Sequence, residues 1–338
     1  MMFSTPSKHT STWLRRFARP ALGLALVLLG AAAQAQNYPS KKISFVIPWP
    51  AGGLNDMVGR VISSELQTSL GQAVIVENPV GAGGSIGTSK ALQAPADGYT
   101  LLLSSQQDLV MAPLTFKSAQ YTASDAKTVA MLGYSTYMLV VRPTLNVKTL
   151  PELVALLKAS GDKPLSYCSP GIGSVYQLVA ERMSRQLQTK ALHVPYPGFP
   201  KCVADMMGGI VDFAVLPIGG PYPDFVTSGK LRGLAVLSDK PSARFPELPL
   251  ASATKGFEGM NYSAWVAIHV NPAVPDAIVE QLNKAVIAAL AKPEVRKIFA
   301  ATGGTIYEPM THQQAHAYYI KNAMQLDEMV RESGVPKQ

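Results

Sequence analysis

Runs of strand length alternate with amphipathic helical stretches along nearly all of this 338-residue chain. That alternation confines it to an α/β fold built mostly from parallel strands. Residues 42–49 form a β-branched and aromatic run that stops at Pro50-Ala51-Gly52-Gly53. The helix that follows carries Met57, Val61, Leu66 and Leu70 among its apolar positions. A strand at 73–76, a Gly-rich turn and helix through Leu92, and a strand at 100–103 complete the first block. A second block opens with a strand at 137–141. Its first helix starts at a capping box, Thr149 with Glu152, has Pro151 in the first turn and ends near Gly161. Strands at 165–168, 191–194, 211–215 and 234–237 follow, with helices at 174–187 and 201–207. The tail reads as a strand at 263–269 and helices at 276–290, 293–302 and 311–333. Two α/β lobes are expected, joined by crossing strands near 137–142 and 263–269. The first lobe takes 36–138 and 263–338, the second 139–262, and the C-terminal helices pack back on the first.

The N-terminus sets the compartment. Lys8, Arg15, Arg16 and Arg19 precede an uncharged apolar run over 21–30, and Ala33 and Ala35 frame an Ala-x-Ala site. This is the pattern of a signal peptide over 1–35 cut after Ala35, and its apolar run is about half of the ~20 residues a spanning helix needs. Removing the leader leaves 26 of the 30 basic residues against 22 acidic ones, a mild excess of +4. No basic run with interleaved aromatics is present, so nucleic-acid binding is excluded. The chain has two cysteines, Cys168 and Cys202. Cys168 ends a strand and Cys202 opens the helix after the next strand, places that are neighbours in a parallel β–α–β unit. In an oxidising periplasm a disulfide is expected, and two cysteines are too few for a metal site.

Most motifs have a plain structural reading. The glycines over 81–87 lack the spacing of a nucleotide loop and suit a tight turn. Gly171-Ile172-Gly173-Ser174-Val175 lacks the order of a nucleophile elbow. His193 and His269 fall in strands as structural histidines. His312 and His316 lie four apart on a polar helix start and read as a solvated face. Two loops carry binding chemistry: Ala51-Gly52-Gly53-Leu54-Asn55 and Ser169-Pro170-Gly171-Ile172-Gly173-Ser174. Each leads a strand into a helix whose N-terminus presents free N–H groups and a positive dipole end, which suits a carboxylate or phosphate. One such loop in each lobe is what a cleft-closing anion binder needs.

The chain resembles the Bug (Bordetella uptake gene) family, the TctC-like receptors of tripartite tricarboxylate transporters. The resemblance spans about 38–335. Its carriers are Tyr38-Pro39-Ser40-Lys41, Pro48-Trp49-Pro50-Ala51-Gly52-Gly53 with Asp56, and Val76-Glu77-Asn78-Pro79. Ala96-Asp97-Gly98-Tyr99-Thr100-Leu101, His193-Val194-Pro195-Tyr196, Gly229-Lys230-Leu231-Arg232 and Pro293-Glu294-Val295-Arg296 continue it. It implies a type II periplasmic-binding fold with the ligand cleft between the lobes, and carboxylates held by backbone amides. Trp49-Pro50, Val80, Gln177 and Pro197 depart from the family pattern. Asp56 fits that pattern, but a carboxylate beside an anion site repels the ligand, so a structural role is expected for it. The expected ligand-binding set is Trp49, Ala51, Gly52, Gly53, Asn55, Ser105, Ser169, Gly171, Gly173, Ser174, Val175, Tyr176 and Asp212. The function implied is a periplasmic, monomeric receptor that needs no cofactor and passes an aliphatic or aromatic carboxylate to a permease with one large and one small membrane subunit. The alternatives are a periplasmic hydrolase using Ser174, or an orphan receptor feeding a sensor.

Overall fold

The computed structural model describes Met1 and residues 38–333. The leader over 1–35 and its cut after Ala35 lie outside the described residues, apart from Met1. Two parallel groups of strands form the frame. In the first, β1 (Ile43–Val46) runs between β2 (Val74–Glu77) and β3 (Thr100–Ser105). In the second, β5 (Leu165–Ser169) runs between β6 (Ala191–Pro195) and β7 (Phe213–Pro217). One long strand, β4 (Lys127–Val141), connects them. Its residues 127–136 pair antiparallel with β9 (Ser263–Val270), and its residues 137–141 pair antiparallel with β7 and β8 (Arg232–Leu237). Among the described strands β4 makes this crossing alone. β9 was expected to cross as well, but it pairs only with β3 and β4, and its register ends where Ser263 meets Thr136.

The first half of β4 escapes the eye because Gly133-Tyr134-Ser135-Thr136 interrupts the apolar run. The glycine is there for close approach. A Cβ at Gly133 would stand 2.8 Å from Thr305 O, on the short strand β10 (Thr305–Ile306) that pairs with it. Register shifts at 128/130 and 131/133 mark bulges that bend the strand between the two groups.

Helix α1 (Leu54–Leu70) buries Val58, Ile62 and Leu66, spaced four apart, rather than the expected stripe. Met57 is exposed, and Val61 and Leu70 are half-buried. The cause is Gly59, whose missing Cβ leaves room for Ile47 Cδ1 within 2.2 Å of that position. The helix therefore presses on β1 along the Val58–Ile62 face and turns Met57 outward. The last helix, α10 (His312–Ser333), also corrects an expectation. It does not rest on the first lobe alone. Its Ala315, Tyr319 and Leu326 share one apolar core with Val175, Leu178 and Val179 of α5 (Val175–Gln186). His312 is buried and His316 is half-buried with Nδ1 3.2 Å from Thr128 Oγ1, so this pair is not a solvated face. His269 Nδ1 lies 2.8 Å from Ser104 Oγ, and burial pushes its pKa down to about 3, so it stays neutral.

Cys168 and Cys202 are joined by a disulfide, their Cα atoms 5.7 Å apart. It pins the end of β5 to helix α6 (Phe199–Met207). Ser169, which opens the second Gly-rich loop, follows Cys168 directly.

Candidate functional site

The first loop is organised by a buried carboxylate. Gly53, at the N-cap of α1, has no side chain to cap it. Met57 N–H is the first amide to reach back, to Gly53 O. The N–H groups of Leu54 and Asn55 thus have no partner within the helix. Beneath them sits Asp56, only 2% exposed. It accepts from Gly52 N at 2.8 Å, Arg60 Nε at 2.8 Å and Asn78 Nδ2 at 3.0 Å. Burial alone raises its pKa. The bonds from Arg60, Gly52 and Asn78 outweigh burial and hold the carboxyl below the ordinary aspartate value. Asn78 also donates to Trp49 O at 2.9 Å, so the turn is tied to the end of β2.

The second loop uses the same device with an amide. Ser174 caps α5 by accepting from Gln177 N at 3.4 Å, and Gln177 Oε1 accepts from Gly173 N at 2.8 Å. Leu178 N–H closes on Ser174 O, which leaves Val175 and Tyr176 N–H without helical partners. In both loops, then, the side chain four residues on engages a glycine amide. This corrects the expectation that Gly52 and Gly173 donate to the ligand. Their amides shape the turns, and the open donors are those of Leu54, Asn55, Val175 and Tyr176.

Trp49, Asn55, Ser105, Val175 and Tyr176 line a single cavity of about 510 Å³. Ala51, Gly52, Gly53, Ser169, Gly171, Gly173 and Ser174 are not among its lining residues. Ser169 is fully buried, its Oγ donating to Gly171 O at 2.9 Å and lying 2.7 Å from His193 Nε2. The hydroxyl is thus engaged within the turn and with His193. Asp212 is the clear departure. It precedes β7, whereas the cavity meets the other end of that strand at Pro217. Some five residues of strand, about 16 Å, lie between. Its carboxylate is taken up by Arg142 Nε at 2.9 Å and Ser166 N at 2.8 Å. It holds β7 to the segment after β4 and to β5 and takes no part in the site.

The cavity also has walls that the sequence reading missed. Gln106 and Gln107 come from the helical turn after β3, Tyr134 and Tyr137 from β4, Trp265 from β9 and Tyr222 from α7 (Tyr222–Thr227). Tyr137 is fully buried and its hydroxyl meets Gln106 Nε2 at 2.6 Å. Its ring stands 4.9 Å from that of Tyr176, which meets Phe199 edge-on at 4.7 Å. Behind Trp49 lies Asp108, which accepts from Trp49 Nε1 at 3.2 Å and from Ser105 N at 2.8 Å. Burial pushes its pKa up to about 6, with the hydrogen bonds from Ser105 opposing. Asp108 fixes both the indole and Ser105 in the wall without reaching the cavity itself. Among the described residues, no Asp, Glu, Lys, Arg or His lines the cavity.

The two lobes touch backbone to backbone beside the site. A Cβ at Gly219, after β7, would stand 2.8 Å from Thr302 O at the end of α9 (Pro293–Thr302), and one at Gly303 would stand 2.5 Å from Gly219 Cα. Gly219 and Thr302 both line the cavity. Gly219→Ala is therefore expected to cost about 1–3 kcal/mol, since the facing carbonyl cannot retreat without moving a lobe. Chemical denaturation measures this, and an unchanged midpoint with an unchanged slope would mean that the contact is loose.

Little here suits covalent chemistry. The hydroxyl of Ser174 serves Gln177 N, and no histidine bonds it among the described residues. No group of three or more His, Cys, Asp or Glu side chains among the described residues is placed to hold a metal.

Two lobes joined, among the described strands, by one crossing strand, with the first turn of a helix from each lining a shared cavity, are the architecture of the solved periplasmic binding proteins that this chain is similar to. The chain belongs to the TctC family, the tripartite tricarboxylate transporter family receptors, which it matches over residues 58–335. It is 33% identical over 321 residues to protein BugT of Bordetella pertussis, covering 93% of this chain and 96% of BugT. The solved periplasmic binding protein BugD superposes with a TM-score of 0.69 at 27% identity, over 89% of this chain and 100% of BugD. MatC of Rhodopseudomonas palustris, solved with bound malate, gives 0.69 at 25% identity, over 87% of this chain and all of MatC.

Proposed function

We propose that this chain is an extracytoplasmic receptor for a small carboxylate and that it delivers the ligand to a tripartite tricarboxylate-type permease. The observation that carries the reading is the cavity of about 510 Å³, free of charged side chains among the described residues, on which the N-termini of α1 and α5 both open. A carboxylate there meets backbone N–H groups and two positive dipole ends, and lobe closure around it would strengthen those charge-assisted hydrogen bonds by removing competing water. The bound malate of MatC supports the ligand class. The N-terminal pattern supports export with a cut after Ala35, and the receptor works as a monomer in the periplasm without a cofactor and without turning its ligand over. The lobes are assigned to 36–138 with 263–338 and to 139–262. Ligand binding favours their closed arrangement, because neither helix N-terminus surrounds a small molecule alone.

Titration calorimetry tests the ligand class. Among aliphatic and aromatic acids, one should bind, and its primary amide should bind about 5- to 150-fold more weakly, the worth of one to several charge-assisted contacts. A cationic or uncharged best ligand would overturn the reading.

A further inference from the structure

Asp56 and Asp108 are both buried behind the site, but only the first of them is neutralised. Arg60 pairs with Asp56. No Lys, Arg or His among the described residues forms an ion pair with Asp108. Its Oδ1 accepts from Trp49 Nε1 at 3.2 Å, Ser105 N at 2.8 Å and Ser105 Oγ at 2.7 Å. Its Oδ2 accepts from Thr88 Oγ1 at 3.2 Å, on helix α2 (Ser85–Leu92). Trp49 and Ser105 line the cavity, so the carboxylate lies one hydrogen bond behind its wall. The titratable groups that face it from neighbouring elements are Tyr121, whose hydroxyl meets Asp108 O, and Tyr319 of α10. Burial keeps both phenols un-ionised. His269, 4.7 Å beyond the Tyr319 ring, stays neutral as well. An anion entering the cavity therefore meets an uncompensated like charge across a poorly screened interior. Such a neighbour raises the pKa of a carboxyl, and that of Asp108 without ligand is already about 6. Protonation leaves the wall in place. A proton on Oδ2 is donated to Thr88 Oγ1, while Oδ1 keeps its three donors.

Resting on the carboxylate reading above, we propose that Asp108 couples the binding of a carboxylate to the uptake of a proton from solvent, so that the receptor takes its anion together with a proton on the buried carboxyl behind Trp49 and Ser105. Asp108 is a positioning residue that acts on the ligand through charge, without touching it. The coupling is reciprocal: the ligand lifts the pKa of Asp108, and protonated Asp108 binds the ligand more tightly. Affinity rises as pH falls through the higher, ligand-bound value and levels off below the free value of about 6.

The test is titration calorimetry on the mature chain with malate, adipate, benzoate and their primary amides, taking the tightest of the three acids from pH 8 to pH 5.5. The wild type should bind that acid about 5- to 10-fold more tightly at pH 5.5 than at pH 8, the response to a one-unit lift of the Asp108 pKa. At pH 6, binding enthalpies in buffers of different ionisation heat should report about 0.4 proton taken up per ligand for the same lift. Asp108→Asn keeps an acceptor for Trp49 and Ser105 and carries no charge. Titrated with the same acid, it should lose the extra uptake and bind at pH 8 as tightly as the wild type does at pH 5.5. Titrating both proteins cancels protonation of the acid itself. Thr88→Val removes a hydrogen bond that favours the charged carboxyl and should move the midpoint of the pH profile upward; this profile decides where Asp108→Asn fails to fold. Equal wild-type affinity at the two pH values, the same profile in wild type and Asp108→Asn, or an unmoved midpoint in Thr88→Val overturns the coupling. If the amide still binds more weakly than its acid, the carboxylate reading survives that result. Amides that match their acids, or no binding by any of the three acids, overturn the carboxylate reading and the coupling with it.

Discussion

Asp56→Ala is expected to lower stability by about 3 kcal/mol and to weaken ligand binding together with it. Hydrogen bonds to a buried charge contribute roughly 1.5–3 kcal/mol each, and removing the acceptor takes away the partner of the Gly52 amide and one of the partners of Asn78 Nδ2, which keeps its bond to Trp49 O. The ion pair with Arg60 adds little, because that guanidinium is half exposed and keeps its water. Binding suffers because Asp56 fixes the turn that leads into the free amides of Leu54 and Asn55, and a loosened turn must be ordered again by the ligand. The acid limb of the stability curve provides a second reading. The folded pKa of Asp56 lies below its unfolded value. Its contribution is therefore complete above an unfolded value of about 3.9 and is lost as pH falls through the lower, folded value. The alanine variant should lack that part of the acid loss. Urea unfolding at pH 7 and at pH 3 measures both effects. Equal stability of the two proteins at pH 7 would show that the turn holds without the carboxylate.

That same residue marks where sequence reading worked and where it stopped. A structural role for Asp56 follows from electrostatics alone, since a carboxylate next to an anion site repels the ligand. Its partners do not follow, because Asn78 is twenty-two positions away and reaches Asp56 only through the pairing of β1 with β2. The engagement of Gly52 and Gly173 was hidden for the same kind of reason. A Gly-rich turn before a helix announces free amides, but which of them a side chain four residues on will occupy depends on rotamers that the sequence does not print. Gln177 illustrates this. It read only as a departure from the family pattern, and in the structure it completes the second turn.

The fold was legible where periodicity was clean. The helices at 276–290 and 293–302 keep their expected bounds as Asp276–Leu290 and Pro293–Thr302. Periodicity failed where backbone geometry overrode it. β4 carries Gly133-Tyr134-Ser135-Thr136 through its middle, which looks like a turn and is a bulged strand paired on β9. Because that stretch was not read as strand, the cavity wall it supplies, Tyr134 with Ser135, was missed as well. Asp212 failed in the opposite way. It stood in the expected ligand-binding set, but the direction of β7 puts it at the far end from the cavity. Strand direction relative to a cleft is a tertiary fact, and no local motif encodes it.

Removing the disulfide is expected to cost about 4 kcal/mol, measured as the difference between the oxidised protein and a Cys168→Ser/Cys202→Ser double variant in chemical denaturation. The bridge spans 34 positions of chain, and in the chain-entropy account a loop of that length removes roughly 4 kcal/mol of freedom from the unfolded state. Both sulfurs lie in one apolar core with Met138, Val203 and Leu216. Replacing them with hydroxyls therefore adds a cost of its own, which Cys168→Ala/Cys202→Ala separates, since alanine brings no polar atom to bury. The location makes the bridge more than a staple. Cys168 stands one residue before Ser169, the last residue of β5, and Ser169 holds the turn that presents Val175 and Tyr176. Cys202 sits on α6, whose Phe199 backs the Tyr176 ring. One bond thus fixes the helix and the loop that shape the same side of the cavity. The oxidised protein should then bind its ligand more tightly than the reduced one, even below the denaturant concentration at which either unfolds. Alkylation of the unreduced, denatured protein followed by mass measurement gives the direct check. Two labelled thiols would show that the bridge does not form, and equal stability of the bridged and alanine forms would show that the chain between them is already ordered when unfolded.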